Sequence, residues 1–498
     1  MYDVRFDWLP ILNADFINDL VTTMFKPPAH KQSGVDVEKV HQQRIMIARH
    51  VISALYQAWS SPHTLNTVSY PKKSNVYGKK TTSQIPYSRI RATEVFDRLA
   101  QLDWVHVAHG IPNVKYTRIK AHGFLKEYFE QVGIVWCPQL PMPDKRSIII
   151  RDVIRDKNGR PIRDKKTGRT EKIDLEVDQG NEKISEMQSS LRRINSFMAR
   201  QCITIDLTDD QLDQMSRNAH QKGKDNIIDL RQVQLVRIFS RGTTEKGGRF
   251  YRGWWQSIPS RHRAHIRING LKTVEVDYSA MHLRILYSLG GLQYSVDKDP
   301  YDIGLANWNG KNDSRRKVVK KCFNAMLNDE DGVFRLKKQD EEAIGLTHNE
   351  FTERIKFHHP EIYEQLVGGI GLLLQKIDSD IAEKVMLYFV AKSVPCLPVH
   401  DSFIVPAGYK WDLHSTLKRV FWELVGSDIS VDDGIIKNIE HFDMDANDFN
   451  SIEEAVYTGD RIWQIHKSSS SSKTLMGDYL RSYREQLACS LGALQERT

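Results

Sequence analysis

The sequence has no cysteine pattern of the kind that builds a disulfide framework or a zinc site. Its five cysteines lie far apart, with no CxxC pair and no cysteine–histidine cluster at zinc-ligand spacing. It also has no apolar run near the roughly 20 residues that a membrane-spanning helix needs. The longest, Leu366–Leu374, contains three glycines. Met1–Asp7 carries acids where a signal peptide is basic and then apolar. We therefore expect a cytoplasmic protein without a membrane partner.

The composition is that of a folded chain. It has 498 residues, of which 40% are hydrophobic, with 10 Trp, 18 Tyr and 18 Phe. This content excludes a wholly disordered protein. At roughly 100–200 residues per domain, the length predicts two to four domains. The 71 Lys and Arg against 63 Asp and Glu leave a net charge of +8, whose meaning depends on where it lies.

The positive charge is concentrated in two stretches. Arg151–Lys172 holds nine basic and four acidic residues, and Arg237–Arg267 holds eight basic residues against Glu245 alone. The second stretch also contains four aromatic residues, Phe250, Tyr251, Trp254 and Trp255. Basic residues interleaved with aromatics suit a phosphate backbone and stacked bases. The alternatives are a solvated surface for the first stretch and core packing for the tryptophans of the second.

Hydrophobic spacing predicts the elements outside the chemical motifs. Residues 1–60 and Ser88–Leu102 have helical spacing, and Trp104–Ala108 with Tyr116–Ile119 then predicts a hairpin. A helix followed by a short hairpin is the layout of a winged helix, which can contact DNA. Apolar residues at steps of three and four also predict an amphipathic helix over Ile184–Met198. Five consecutive serines, Ser468–Ser472, indicate a flexible linker before a helical tail over Thr474–Arg497.

Two carboxylates lie at predicted strand ends. The alternating run Leu271–Asp277 ends at Asp277, where a helical run begins. Val394–Val405 predicts a hairpin of two buried strands with His400 and Asp401 at its turn. Two such carboxylates can hold two divalent cations about 3.5–4 Å apart, which activate an attacking hydroxyl and stabilise a leaving pyrophosphate. Oxygen ligands of this kind suit Mg²⁺.

A basic helix is predicted between these carboxylates. Ser314–Asn328 contains five basic residues and no acid. Arg316 and Lys320 are four residues apart and share one face of that helix. Two cations on one face can clamp a triphosphate. Each piece alone has an ordinary structural reading, and the chemical interpretation depends on their order.

In that order, the motifs resemble those of family A DNA polymerases. Val276–Leu286 is similar to the DYSxxELR pattern of motif A, Arg316–Asn328 to the fingers helix of motif B, and Val399–Phe403 to motif C. The similarity extends over Arg237–His441. Supporting matches are Gly248-Arg249, Ser257–Pro259 with Arg261, Asp299–Tyr301, His359–Ile362 and Gln375–Ile381.

The resemblance implies a role for each matching residue. It makes Asp277 and Asp401 catalytic metal ligands, with the Tyr278 carbonyl also within reach of metal, and Lys320 a catalytic phosphate contact. Nucleotide-binding roles fall on Arg316, Lys320, His282, Asn324, Asn328 and Tyr278. Contacts to primer or template are expected from Arg249, Arg252, Arg261, Gln375 and His400.

Several positions depart from the family pattern. His282 replaces the motif A glutamate that helps to exclude a ribose 2′-hydroxyl, and Asn328 replaces the aromatic residue of motif B. Asn324 stands at the phenylalanine position of motif B, and Asp329 at its terminal glycine. Ser402 makes motif C similar to the HDSF of single-subunit RNA polymerases of phages and mitochondria. The choice between deoxyribose and ribose is therefore open.

The expected fold is α+β, a right-hand polymerase with palm, fingers and thumb-like helices. Four domains are predicted: 1–125, helical and winged-helix-like; 126–235, a basic hairpin and a thumb-like helical region; 236–447, palm and fingers; and 448–498, the serine linker and helical tail.

The predicted function is template-directed nucleotidyl transfer, by a DNA-dependent DNA polymerase that extends a primer 3′-hydroxyl with two metal ions. The expected cofactors are two Mg²⁺ ions, for which Mn²⁺ can substitute. The expected partners are a primer–template and nucleoside triphosphates. A lone DxE at Asp174–Glu176 has no supporting carboxylates, so proofreading is not expected. Two alternatives stay open: an RNA polymerase or primase-like enzyme of the same superfamily, and a DNA-binding protein whose polymerase domain is inactive.

Overall fold

A computed structural model of the chain describes residues 3–6, 9–26, 36–60, 67–72, 76–78, 85–110, 116–164, 168, 170–208, 211, 214, 230–329 and 332–433. The chain is a mixed α+β protein with two hydrophobic cores, one drawn from residues 6–137 and the other from residues 148–429. The predicted domain 448–498, with its serine linker and helical tail, lies outside the described residues.

The first core lies between a four-stranded sheet and helices. Its elements are β1 (Asp3–Arg5), α1 (Asp15–Met24), α2 (Val37–Trp59), β2 (Thr67–Tyr70), α3 (Arg89–Gln101), β3 (Val105–Ala108), β4 (Thr117–Ala121) and α4 (Gly123–Val132). The strand order is β1-β2-β4-β3, with β1 parallel to β2 and the other pairs antiparallel. The predicted helix and hairpin are confirmed as α3, β3 and β4, whereas β1 is a strand in a stretch expected to be helical. The predicted boundary at 125 falls inside α4, whose Leu125 and Phe129 belong to this core.

Helix α2 is the centre of the first core. The Asp36 side chain caps it by accepting a hydrogen bond from the Lys39 backbone N–H at 3.0 Å. Between Ile47 and Ala58 the helix is buried nearly all round apart from Arg49, because α1, α3, α4 and the sheet pack against it.

The second core is larger and contains every chemical motif. Its strands are β5 (Ile148–Val153), β6 (Lys172–Asp174), β7 (Ile203–Ile205), β8 (Val236–Phe239), β9 (Gly247–Tyr251), β10 (Ile266–Ile268), β11 (Leu271–Tyr278), β12 (Leu397–Val399), β13 (Ser402–Pro406) and β14 (Val431–Asp433). Its helices are α5 (Glu182–Met198), α6 (Ser260–Arg263), α7 (Met281–Leu289), α8 (Arg316–Leu327), α9 (Lys338–Ile344), α10 (His348–His358), α11 (Tyr363–Leu366), α12 (Gly371–Ala391) and α13 (Lys410–Val425).

Two sheets carry this core. One has the order β12-β13-β11-β10-β7, with β14 also paired to β11, and the other has the order β6-β5-β8-β9. The long helix α12 packs against β9, α5, α7, α13 and β12, so it lies between the two sheets. The sequence-predicted strand over 271–277, the helix after it, the hairpin around residue 400 and the helix over 184–198 are confirmed.

The structure shows where the tryptophans of the basic stretch and most of the cysteines lie. Trp254 and Trp255 are buried, so they pack in the core rather than stack on bases. Four of the five cysteines, Cys137, Cys202, Cys322 and Cys396, are among the described residues, and each is buried and forms no disulfide. No helix in the described part of the chain is both long and apolar enough to span a membrane.

Candidate functional site

The two sequence-predicted carboxylates lie at the ends of neighbouring strands, Asp277 on β11 and Asp401 in the turn just before β13. In the antiparallel pair β11–β13, Asp277 stands opposite Ser402, and the Tyr278 backbone N–H donates to the Asp401 carbonyl at 3.2 Å. Asp401 belongs to the two-residue turn that joins β12 to β13. His400, the other turn residue, has a left-handed backbone with φ of 58°, which is unusual for a non-glycine residue. The register therefore places Asp277 and Asp401 side by side at one end of the sheet.

The environment of Asp277 suits a cation. Burial raises the pKa of the Asp277 carboxyl well above its usual range, and the negative charge of Asp401 raises it further, while Lys320 lowers it. The Asp277 Oδ1 atom is buried and has no hydrogen-bond partner among the described residues. A bound divalent cation would satisfy this oxygen and relieve the repulsion between the two carboxylates. The donor set thus fits Mg²⁺, although no group of three or more His, Cys, Asp or Glu side chains in the described ranges is arranged to hold a metal.

Helix α8 brings one basic side chain toward this pair. Lys320 is partly buried and lies close enough to Asp277 to act on its pKa. Arg316, one turn earlier, is held in a two-pronged ion pair with Asp299 at 2.6 and 3.0 Å, and its guanidinium lies 5.0 Å from the centre of the Tyr301 ring. Arg316 can therefore bind a phosphate only if its guanidinium contacts the phosphate and Asp299 together, or if it gives up the ion pair with Asp299.

The polar end of α8 contacts α12. Asn324 and Asn328 are exposed, and the Asn328 side-chain N–H donates to the Asn324 carbonyl at 2.7 Å. The Gln375 side-chain N–H donates to Asn328 Oδ1 at 3.3 Å. The two helices approach closely because residue 371 is glycine: a Cβ there would lie 2.7 Å from the Leu327 carbonyl oxygen. The sequence-predicted residues Asn324, Asn328 and Gln375 thus form one polar patch.

A second cluster joins β9, α7 and α12. Arg249 Nε donates to Asp378 Oδ2 at 2.8 Å, and His282 Nε2 lies 3.0 Å from the same oxygen. Burial works against the charged form, but His282 and Arg249 hold the pKa of Asp378 below its usual range. The charge of Asp401 contributes to raising the pKa of Arg249, which places this cluster beside the carboxylate pair.

Not every sequence-predicted residue joins these groups. His400 is exposed, with its ring centre 5.9 Å from that of Tyr251. Arg261 lies on the short helix α6, where its Nε is 3.0 Å from His262 Nε2. Arg252 lines a crevice between the two cores rather than the carboxylate end of the sheet. The Tyr278 side chain is buried and donates to the Leu417 carbonyl at 2.8 Å, so only its backbone carbonyl is a candidate ligand.

A further buried carboxylate near the site, Glu275, was not predicted from the sequence. Glu275 lies two residues before Asp277, on the same face of β11, and is 4% exposed. It accepts two hydrogen bonds from Arg263, at 2.8 and 2.7 Å, and one from the Ser402 hydroxyl at 2.6 Å. This network anchors the strand that follows the Asp401 turn. In the sequence, the only sign that Glu275 lies near the site was its i, i+2 spacing from Asp277.

Asp432 is the nearest acid on the other side of Asp277. It stands opposite Asp277 in the pair of β11 with β14 and forms an ion pair with Lys311 at 2.5 Å. Its negative charge adds to the raised pKa of Asp277, after those of Asp401 and Glu275. The sequence around Asp432 did not indicate that it lies beside Asp277, because this contact depends on the pairing of β11 with β14, a strand more than 150 residues further along the chain.

Comparison with known proteins adds no relative: no family model matches the chain, and no curated protein matches it. The chemistry therefore has to be argued from the arrangement of side chains. Two adjacent carboxylates lie beside a lysine and a cluster of Arg249 and His282 around the buried Asp378, and one of the two has a raised pKa and an oxygen without a partner among the described residues. Such a site can hold divalent cations and a polyphosphate together.

Proposed function

We propose that this protein is a template-directed nucleotidyltransferase with a right-hand polymerase fold, which extends a primer with nucleoside triphosphates. The observation that carries the proposal is the pairing of Asp277 with Asp401 at one end of the sheet, with Lys320 beside them. The order of these residues in the sequence resembles that in family A polymerases, and the register brings the same residues together in space.

Asp277, Asp401 and the Tyr278 carbonyl would hold Mg²⁺. Two such ions activate the primer 3′-hydroxyl and stabilise the pyrophosphate that leaves. With Mg²⁺ bound, Asp277 would be held in its charged form, because a cation offsets both the burial and the repulsion by Asp401 that raise its pKa. The Glu275–Arg263–Ser402 network keeps β13, and with it the turn that bears Asp401, against β11.

Lys320 would bind the triphosphate and offset the charge that develops during phosphoryl transfer. Arg316 holds α8 through Asp299 and would add a second positive charge near the phosphates when it exchanges that partner. Arg249, which lies on β9, and His400, which shares the turn with Asp401, are the proposed contacts to the primer end. Gln375, on the polar patch with Asn328, is the proposed contact to the template.

DNA synthesis is the preferred reaction, because motif A and its spacing from Arg249 are similar to those of the DNA enzymes. RNA synthesis is the second candidate. It is favoured by the imidazole of His282, which bonds to Asp378 where the DNA enzymes have a glutamate, and by the HDSF sequence of the turn.

Primer extension on one template, with dNTPs in one reaction and NTPs in another, tests this proposal. We expect the wild-type chain to extend the primer, and Asp277→Asn and Asp401→Asn to lose about 10³-fold or more in rate, as expected when several kcal/mol of metal-held stabilisation are removed. Asp206→Asn, which alters an exposed ion pair with Arg267, is the matched control and should extend normally.

Three outcomes distinguish the functions. Extension with dNTPs supports a DNA polymerase, and extension with NTPs alone supports the RNA-synthesising alternative. If the wild type and Asp401→Asn bind primer–template equally and neither extends it with any nucleotide, the protein is a nucleic-acid-binding protein without transferase activity.

A further inference from the structure

We infer that the acidic, aromatic segment 434–466 of this chain docks on the exposed face of α13, where Trp411 and Trp422 lie among basic side chains. We call this surface the α13 face. The inference goes beyond the proposed function and does not depend on nucleotidyl transfer. It assigns an intramolecular partner to a surface that the proposed function does not use.

Helix α13 carries two exposed tryptophans on one side. Trp411 is 66% exposed and Trp422 is 60% exposed. They are eleven residues apart, which is close to three full turns, so their side chains lie on one stripe about 17 Å long. The opposite side of the helix packs in the second core through Leu413, Leu417, Val420 and Phe421. Since tryptophan is largely buried in most proteins, two exposed rings on one stripe indicate a surface that another element covers.

Basic side chains surround this stripe. Three are on α13 and two come from the neighbouring helix α12 and its C-cap: Lys410, Lys418, Arg419, Lys384 and Lys392. Two acids lie among them. Asp412 pairs with Lys392 at 2.8 Å, and Glu423 pairs with Arg419 at 2.6 Å. Five basic residues against two acids leave a net charge of +3 on the α13 face, so its partner should be acidic as well as apolar.

The chain that follows the last described residue, Asp433, has this composition. Residues 434–466 contain seven Asp and Glu against two Lys and Arg, a net charge of −5. They also contain six isoleucines and four aromatic residues, Phe442, Phe449, Tyr457 and Trp463. The tail beyond the serines, 474–498, has three acids and three basic residues and hence no net charge. Charge complementarity therefore favours the segment 434–466 over the tail as the occupant of the α13 face.

The direction of β14 takes this segment toward the α13 face. Strands β13 and β14 both run antiparallel to β11, so both lead away from the Asp277 end of the sheet. Helix α13 begins at Lys410, just after β13 ends at Pro406, and it contacts β14 as well. From Asp433 the chain thus heads toward the end of α13 that bears Trp411.

The segment is also long enough. A helix with its side chains is about 10–12 Å wide, a distance that about four extended residues cross. The 33 residues of 434–466 can therefore pass round α13 and still cover the whole stripe between the two tryptophans.

Hydrogen–deuterium exchange of the full-length chain tests the inference, with mass spectrometry of peptides from 434–466. A segment that is docked about nine-tenths of the time exchanges roughly tenfold more slowly than the same segment released. We expect the double variant Trp411→Ala/Trp422→Ala to speed exchange in these peptides by about that factor. Phe357→Ala is the matched control, because it removes a ring that is 81% exposed on another helix, α10, and it should leave this exchange unchanged.

A variant of the segment itself tests the charge and keeps α13 intact. Asp443→Asn/Asp445→Asn/Asp448→Asn preserves the size of the side chains and removes three of the seven acidic charges. We expect faster exchange in 434–466. We also expect faster oxidation of Trp411 and Trp422 in hydroxyl-radical footprinting, because the released segment no longer shields their rings.

Other occupants of the α13 face give different results. Protection of 434–466 that rises with protein concentration assigns the face to a second copy of the chain. Exchange that is unchanged in both variants, together with weaker binding of a labelled primer–template to the tryptophan variant, assigns it to nucleic acid. The inference is wrong in either case, and also if the wild-type segment exchanges as fast as an unstructured chain.

Discussion

Asp277, which is half-buried with one buried oxygen, and the buried Asp378 differ in the charges around them. Burial raises the pKa of Asp277, and the charges of Asp401, Glu275 and Asp432 raise it further against the opposing effect of Lys320. Asp378 faces Arg249 and His282, and its pKa is lowered. A carboxylate surrounded mainly by other acids suits a cation ligand, whereas one that is paired with protein cations suits a structural support. This contrast separates the proposed metal ligand from a carboxylate whose charge is balanced within the protein.

Lys320 is the side chain whose role is simplest to test at this scale. Lys320→Ala should lower kcat/KM for the nucleotide by about 100-fold, because the charge that offsets the developing phosphate charge is lost. Lys317→Ala, an exposed lysine on the same helix, should stay within about twofold of the wild type. Steady-state incorporation kinetics at a fixed primer–template concentration measures both. Equal effects of the two variants would contradict a specific phosphate contact by Lys320.

At the scale of elements, α12 is the organising helix of the second core. It supplies Gln375 to the polar patch, Asp378 to the buried cluster, and Ser379, Asp380 and Glu383 to Arg237. Strand β9 approaches it closely because residue 248 is glycine: φ is 85°, and a Cβ would lie 3.0 Å from Ser379 Oγ and 2.6 Å from the Phe239 ring. The position of Arg249 on β9 thus follows from how closely this strand packs on α12.

Arg237 joins β8 to α12 and should be a strong determinant of stability. It is 1% exposed, and its guanidinium donates to Asp380 and Glu383 at 2.5 Å each and to Ser379 at 2.9 Å. Arg237→Met leaves two carboxylates without their buried partner, so we expect a loss of about 3–5 kcal/mol in the free energy of unfolding.

Urea denaturation followed by circular dichroism measures this loss. The matched control is Arg151→Met in the adjacent strand β5, whose ion pair with Asp174 is more exposed. It should cost less than about 1 kcal/mol. If the two variants are destabilised equally, the Arg237 network is not the link that we describe.

At the scale of the whole molecule, the distribution of charge matters more than its sum. Four acids of the second core, Glu275, Asp277, Asp401 and Asp432, are close enough to one another to act on the pKa of Asp277, while the hairpin of β5 and β6 extends an exposed basic loop over 155–163. Two isolated bridges, Arg155 with Pro161 and Arg163 with Thr170, continue this hairpin. A loop of this kind suits the phosphate backbone of a primer–template.

Removing charge from this loop should weaken nucleic-acid binding in a salt-dependent way. The double variant Lys157→Ala/Arg160→Ala should reduce the slope of log Kd against log salt by up to about 2, or roughly 0.9 per lost phosphate contact. Fluorescence anisotropy with a labelled primer–template over a salt series measures the slope. Lys418→Ala, an exposed lysine on α13, is the control. An unchanged slope in the double variant would place the nucleic acid elsewhere.

Much of the second core could be predicted from the chain itself. The strand that ends at Asp277, the basic helix with Arg316 and Lys320, and the turn with Asp401 are all present, because hydrophobic spacing and turn residues act over a few residues. The boundary between the first two predicted domains, at residue 125, falls within α4, because this helix packs in the first core. The boundary between two cores depends on packing between elements, which a local sequence pattern does not contain.

The contacts that give the site its chemistry arise only on folding. Asp378 meets Arg249 across 129 residues and His282 across 96, and Ser402 meets Glu275 across 127. Their residue types are readable in the sequence, but their protonation and orientation are set by burial and by partners from other elements. Local sequence patterns were therefore enough to single out Asp277 and Asp401, whereas packing between elements distant in the sequence decided which side chains lie around them.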